Sequence, residues 1–156
     1  MAIANGADIE GILLAAAAVV EDVTGIVAVY DRAGEIPADD DALPAAIQSV
    51  AAPDLEAGRF EYLTGHQVVW HYWYLDVLID RAGDIYAEQT AAFPFVERVT
   101  TAFRSNIHLG QPAIVARCLP QSYQVIVLSA GEQSFLTVRF LMECKTKTSA
   151  SYSDPG

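Results

Sequence analysis

The sequence predicts an α+β domain: a mostly antiparallel β-sheet with two helices packed on one face, in the order α-β-β-β-α-β-β. Three observations carry this. Gln67–Ile79 is a thirteen-residue aromatic and β-branched run, far longer than the usual strand of five or six residues. Two segments, near residues 8–24 and 84–105, repeat apolar side chains at three- and four-residue spacing. A third unit, residues 113–144, alternates β-branched and aromatic residues around a turn near Gly131.

The first helix is expected from Asp8 to Thr24. Ile9, Ile12, Leu13, Ala16, Val20 and Val23 draw one apolar stripe. Asp8 or Asn5 suits the N-cap, and Gly25 suits the left-handed terminator position. The small Ala15–Ala18 block lets the helix lie close against a sheet. A short strand over Ile26–Tyr30 follows, then an acidic loop over residues 33–42. Leu43–Val50 reads as a strand that Pro44 confines to an edge or to its first residue. After a loop at 51–58, Arg59–Leu63 reads as a short strand turning at Gly65.

In Gln67–Ile79, alternation places Val69, His71, Trp73, Leu75, Val77 and Ile79 on one side. Val68, Trp70, Tyr72, Tyr74, Asp76 and Leu78 fall on the other. Both sides are largely apolar, so both should be covered, and the strand spans ~43 Å. The second helix is expected from the N-cap Asp84 to Ser105, with Ile85, Ala92, Val96, Val99 and Phe103 inward. Pro94 either kinks it or opens a new helix; the continuing apolar period favours a kink. Ala113–Cys118 and Tyr123–Leu128 read as strands separated by Pro120, and Ser134–Cys144 as the last strand. One domain is expected over residues 1–145, with 146–156 as a flexible tail.

Composition bounds the function. A domain of 156 residues buries roughly two thirds of its unfolded surface. A 53% hydrophobic and 19% charged composition suits either a subunit interface or a well-filled core. The net charge of −11, with nine Lys and Arg, argues against gripping phosphate backbones, which requires clustered cations. The first basic residue is Arg32, so no charged n-region of a secretory signal is expected, and Ile12–Val20 is too short to span a bilayer. A cytoplasmic origin is the expectation. Cys118 and Cys144 are too few for a disulfide framework, and the last hairpin should bring them together as a reduced, buried pair.

Catalytic signatures are missing from the sequence. His66 and His71 point to opposite faces of one strand and His108 lies in a loop, so no local zinc set forms. Asp39, Asp40 and Asp41 lack the spacing of a calcium loop and read as a solvated acidic cluster. Neither a nucleophile elbow nor a phosphate-cradling glycine loop occurs, so no enzyme residues and no cofactor or metal are expected. Trp70, Tyr72, Trp73 and Tyr74 lack interleaved Arg or Lys, which favours core or subunit contact over base stacking.

Several phrases carry a family likeness: the first helix ending VTGIVAVYD, the strand GHQVVWHYWYLDVLI, the phrase FPFVERVTTAF followed by SNIHLG, and the closing hairpin YQVIVLSAGEQSFLTVRFLMEC. Together they cover most of residues 8–145, and the chain resembles the tail terminator and neck proteins of long-tailed bacteriophages. They are patterns of packing and turns, and the acidic 33–42 loop and the end after Lys145 match nothing in the family. The resemblance implies a virion protein assembled in the host cytoplasm as a homo-oligomeric ring, usually of six subunits. That ring would cap the tail tube, meet the tail tube protein and the head-completion or connector protein, and pass DNA without specific binding. The family has no catalytic residues to transfer and no membrane role. Trp70, Tyr72, Tyr74, Asp39, Asp40 and Asp41 are the candidate interface residues. A head–tail connector or a tube subunit is the alternative within this class. A small-ligand or partner-binding α+β module with a closed apolar cavity lined by Trp70 or Trp73 is the alternative outside it. An enzyme would instead require His71, Asp76 and a cysteine to converge.

Overall fold

In the computed structural model the described residues are 8–30, 42–52, 54–82, 89–130 and 132–149. They form a mixed six-stranded sheet with both helices packed into one core on one face. The elements are α1 (Ile9–Glu21), β1 (Ala28–Tyr30), β2 (Ala45–Ser49), β3 (Gly58–Leu63), β4 (His66–Arg81), a 3-10 turn (Gln89–Ala92), α2 (Phe93–Arg104), β5 (Val115–Ala130) and β6 (Gln133–Ser149). Four strands, not three, therefore separate the helices. The sheet order is β1-β2-β4-β6-β5, with β3 pairing with β4 outside that path. Only β1 and β2 run parallel.

The length of β4 organises the sheet. Its sixteen residues span ~53 Å at 3.3 Å each. Its C-terminal half pairs with β2, Ala45 opposite Leu78 and Ser49 opposite Tyr74. Its N-terminal half pairs with β3, Gly58 opposite His71 and Leu63 opposite His66. On the other edge β6 follows β4 from Ser149–His66 to Phe135–Arg81.

Asp8 caps α1 by accepting from the Gly11 amide at 2.7 Å. The helix ends at Glu21 rather than Thr24, and Gly25, at φ +94°, turns the chain into β1. Ile12, Ala16 and Val20 of α1 join Phe95, Val99 and Phe103 of α2 over Trp73, Leu75, Val77, Val138, Phe140 and Met142 of the sheet. Trp73 is 0% exposed, and its indole N–H donates to Gln48 Oε1 at 2.9 Å. Gln48 Nε2 in turn donates to the Leu13 carbonyl at 2.9 Å. One buried amide thus ties β4, β2 and α1, satisfying polar atoms that would otherwise carry a desolvation cost.

Three expectations are corrected and one alternative is decided. Pro94 does not kink a continuous helix: it sits in the first turn of α2, where its missing N–H has no partner to lose. Phe95, with Val99 and Phe103, takes the inward stripe, and Val96 is only half-buried. Asp84 and Ile85 lie outside the described residues. Pro120 does not separate two strands: β5 is continuous, and a register shift between Pro120 and Ser122 absorbs the missing donor on an edge strand. Of the two places open to Pro44, the structure has the start of its strand and not the edge: it precedes β2, which lies between β1 and β4. Finally, Thr146–Ser149 are not tail but the end of β6, paired with β4 as far as Ser149–His66; residues 150–156 lie outside the described residues.

Candidate functional site

The sheet face turned away from the helices carries the candidate site. Alternation along β4 places Trp70, Tyr72, Tyr74, Asp76 and Leu78 there. Opposite them on β6 stand Lys145, Glu143, Leu141, Arg139 and Thr137. The expected interface residues Trp70, Tyr72 and Tyr74 thus share one surface. Asp39, Asp40 and Asp41 fall outside the described residues.

Trp70 is half-buried at the centre of a cationic frame drawn from three other strands. Arg59 of β3 lies 5.0 Å from its ring centroid, Lys145 Nζ of β6 4.9 Å, and Arg117 of β5 5.6 Å. Each distance falls within cation–π range. The Trp70 Nε1 donor is enclosed, with no hydrogen-bond partner among the described residues. Arg117 also meets Glu143 at 3.2 Å.

Two residues along β4, Tyr72 and Tyr74 line an open groove of about 290 Å³ with Asp54, Leu55, Glu56, Arg59 and Leu141. Tyr74 is largely buried, and its hydroxyl donates to Asp54 at a long 3.4 Å. The Arg139 guanidinium lies 4.4 Å from the Tyr74 ring centroid and forks onto Asp76 at 2.8 and 3.0 Å. Hydrogen bonding to Asp76 is the main cause of the raised Arg139 pKa, working against burial, which lowers it. Beyond this pair the face closes over Ile47, Leu78 and Phe135, with Arg81 5.8 Å from the Phe135 ring centroid.

Sequence reasoning missed the cations. Arg59, Arg117 and Lys145 are scattered along the chain, and only strand register gathers them around Trp70. Of the nine Lys and Arg, six (Arg59, Arg81, Arg117, Arg139, Lys145 and Lys147) stand on this face. The signal that was available is the alternation of Arg139, Lys145 and Lys147 with core residues in the last strand.

The helix-side face brings Cys118 and Cys144 directly opposite one another, both fully buried and both free thiols. A hydrogen bond with Cys144, and then burial, raises the Cys118 pKa well above the ordinary thiol value. His71 is the register partner of Cys144, but Asp76 faces the other side of the sheet, held by Arg139. The trio that would have favoured an enzyme does not converge. Among the described residues, no three His, Cys, Asp or Glu side chains are placed to hold a metal. His108 Nδ1–H donates to the Val115 carbonyl at 3.0 Å. Neither tryptophan lines the open groove beside Tyr72, and Trp73 belongs to the solid core.

At the sheet margins, β3 is exposed along its whole length, with Phe60 and Tyr62 stacked at 61% and 63% exposure. On the opposite margin, the β5 half Tyr123–Ala130 holds no charged residue, and Tyr123 is 55% exposed. Comparison with protein-family models and with curated proteins finds no match for this chain. Among the described residues no helix is long and apolar enough to cross a membrane.

Proposed function

We propose that this chain is a structural ring subunit of the tail–neck junction of a long-tailed bacteriophage, a tail terminator that caps the tail tube and joins it to the head-completion complex. The observation that carries the reading is a pair of different, exposed sheet margins among the described residues. The outer edge of β5 from Tyr123 to Ala130 has neither charge nor proline, and β3 presents Phe60 and Tyr62 on the other margin. Long uncharged strand edges template pairing with another chain, so monomeric proteins blunt them with lysine, proline, bulges or a covering element. The bulges and Pro120 blunt only the first half of β5. Two different open margins on one sheet suit a heterologous, head-to-tail contact, which closes into a ring when the rotation allows.

Further support comes from the strands of sixteen and seventeen residues, which outrun helices of thirteen and twelve. At 3.3 Å against 1.5 Å per residue, the sheet is more than twice as long as either helix, leaving strand surface for neighbours. In this role the chain has no reaction to perform; its partners are its own copies, the tail tube and the connector. The native mass of the purified protein, measured across concentration, tests this: a species of several subunits is expected, and a strict monomer at all concentrations would contradict it. A connector or tube subunit would give the same margins; a tube subunit would grow into long tubes instead of stopping at a ring.

A further inference from the structure

We propose that His71, Cys144 and Cys118 form a peroxide-responsive site, in which Cys144 is oxidised first and Cys118 then closes a disulfide between β6 and β5. The inference goes beyond the ring reading and does not depend on it.

The three residues make one row across the sheet. His71 of β4 is the register partner of Cys144 of β6, and Cys144 is the register partner of Cys118 of β5. Register partners point to the same face, with Cβ atoms about 4.5–5.5 Å apart. The row lies on the helix side, where both cysteines belong to the main core. Backbone geometry suits a bond between the two thiols. The Cys118 amide donates to the Ile107 carbonyl at 2.7 Å, away from β6. The cysteines are therefore a non-hydrogen-bonded antiparallel pair, the closer kind, with Cα atoms roughly 4.5 Å apart. That spacing lies within the range that disulfides span, so the bond closes without a change of register. The thiols already hydrogen-bond to each other.

The row also divides the roles. The hydrogen bond with Cys144, and burial, keep Cys118 protonated, as suits the thiol that reacts second. Half-buried His71 stands on the other side of Cys144, and its β3 partner Gly58 has no side chain to wall it off. The imidazole takes the Cys144 proton, and the thiolate attacks one peroxide oxygen. An S–O bond forms, the O–O bond breaks, and the leaving hydroxide recovers the proton as water. The Cys118 sulfur then attacks the Cys144 sulfenic sulfur. The S–S bond forms, the S–O bond breaks, and the Cys118 proton leaves with that hydroxide as a second water. Two thiols thus give up two electrons and two protons, and one peroxide becomes two waters. Burial selects a small, uncharged oxidant over a bulky disulfide. Entry follows local opening of the first half of β5, an edge segment with two register shifts and Pro120. The new bond pins that half to β6.

Oxidation of the folded, reduced chain by hydrogen peroxide tests this. After quenching, the protein is unfolded in an alkylating reagent and weighed intact. A species two hydrogens lighter than the reduced chain, unalkylated and restored by dithiothreitol, is expected, with a Cys118–Cys144 linked peptide on digestion. Cys118→Ser should stop at a sulfenic acid on Cys144, trapped as one dimedone adduct, whereas Cys144→Ser should form none. His71→Gln should slow the oxidation at least tenfold, while refolding in a glutathione redox buffer still gives it the disulfide. Two alkylated thiols after peroxide treatment of the unaltered chain would overturn the proposal, and this result needs no variant to fold. So would a bond that forms only after unfolding, a dimedone adduct on Cys118 in place of Cys144, or unchanged kinetics in His71→Gln.

Discussion

Replacing Arg139 with leucine should cost far more stability than replacing its partner Asp76. The Asp76 side chain is 5% exposed and that of Arg139 24%, with the guanidinium forked onto the carboxylate at 2.8 and 3.0 Å. Removing Arg139 strands a carboxylate in a dry site and deletes the cation–π contact with Tyr74. Breaking a buried pair in this way costs 3–5 kcal/mol, and the partial exposure of Arg139 sets the expectation near the lower end, about 3 kcal/mol. For a domain of this size that corresponds to a fall in melting temperature of roughly 6–12 °C. Asp76→Leu leaves Arg139 able to lift its head group into water along its aliphatic stem, at a cost of about 1–2 kcal/mol. The double leucine variant removes both charges and should return to within about 1 kcal/mol of the unaltered protein, giving a coupling of about 3 kcal/mol. Urea unfolding followed by tryptophan fluorescence at fixed protomer concentration measures all four species. Equal, additive single effects below about 0.5 kcal/mol would show that the pair is solvated and that the face beside Tyr74 is not closed.

Other outcomes follow from the same structure. Gln48→Leu keeps the volume but orphans the Trp73 N–H, so it should cost about 2 kcal/mol in urea unfolding, most of it absent in a Trp73→Phe background. Gly25→Ala should destabilise by about 1–2 kcal/mol, since φ is +94° and the new Cβ meets Arg98 Nη1 at 3.1 Å and Phe95 Cζ at 3.2 Å; calorimetry would read this as a lower melting temperature. Because the Cys118 pKa is raised, its thiol holds its proton at pH 8 and rises into the reactive thiolate form only at higher pH. Alkylation at pH 8 should therefore spare Cys118 in the native protein, burial should shield Cys144 from the reagent, and both should react after unfolding. Val127→Lys on the outer half of β5 should change stability by less than ~0.5 kcal/mol while lowering the native mass, because an edge lysine opposes strand pairing.

How far the sequence was legible depends on how local the cause is. Asp8 as N-cap, Gly25 as the left-handed turn and the alternation of β4 are decided by neighbours a few residues away, and all stand in the structure. Leu43–Val50 was legible as a strand, but its interior place depends on a parallel partner, β1, which local pattern does not specify. Pro120 looked like a break because a proline lacks a ladder donor; only edge position and a bulge make it tolerable, and both are properties of the sheet. Thr146–Ser149 carry no apolar period, and only their pairing with β4 makes them strand. The aromatic half of the candidate site was legible as one stripe of β4. Its cations were not, since Arg59, Arg117 and Lys145 become neighbours only through three separate strand registers.

In the proposed role these subunits close on themselves. Negative-stain electron microscopy of the largest species from the native-mass series tests it most directly. Closed rings of one subunit number, with no growth along the axis at higher concentration, are the expected result. Open-ended tubes would reassign the chain to the tube itself, and fields of single 16.8 kDa particles at every concentration would contradict the ring account.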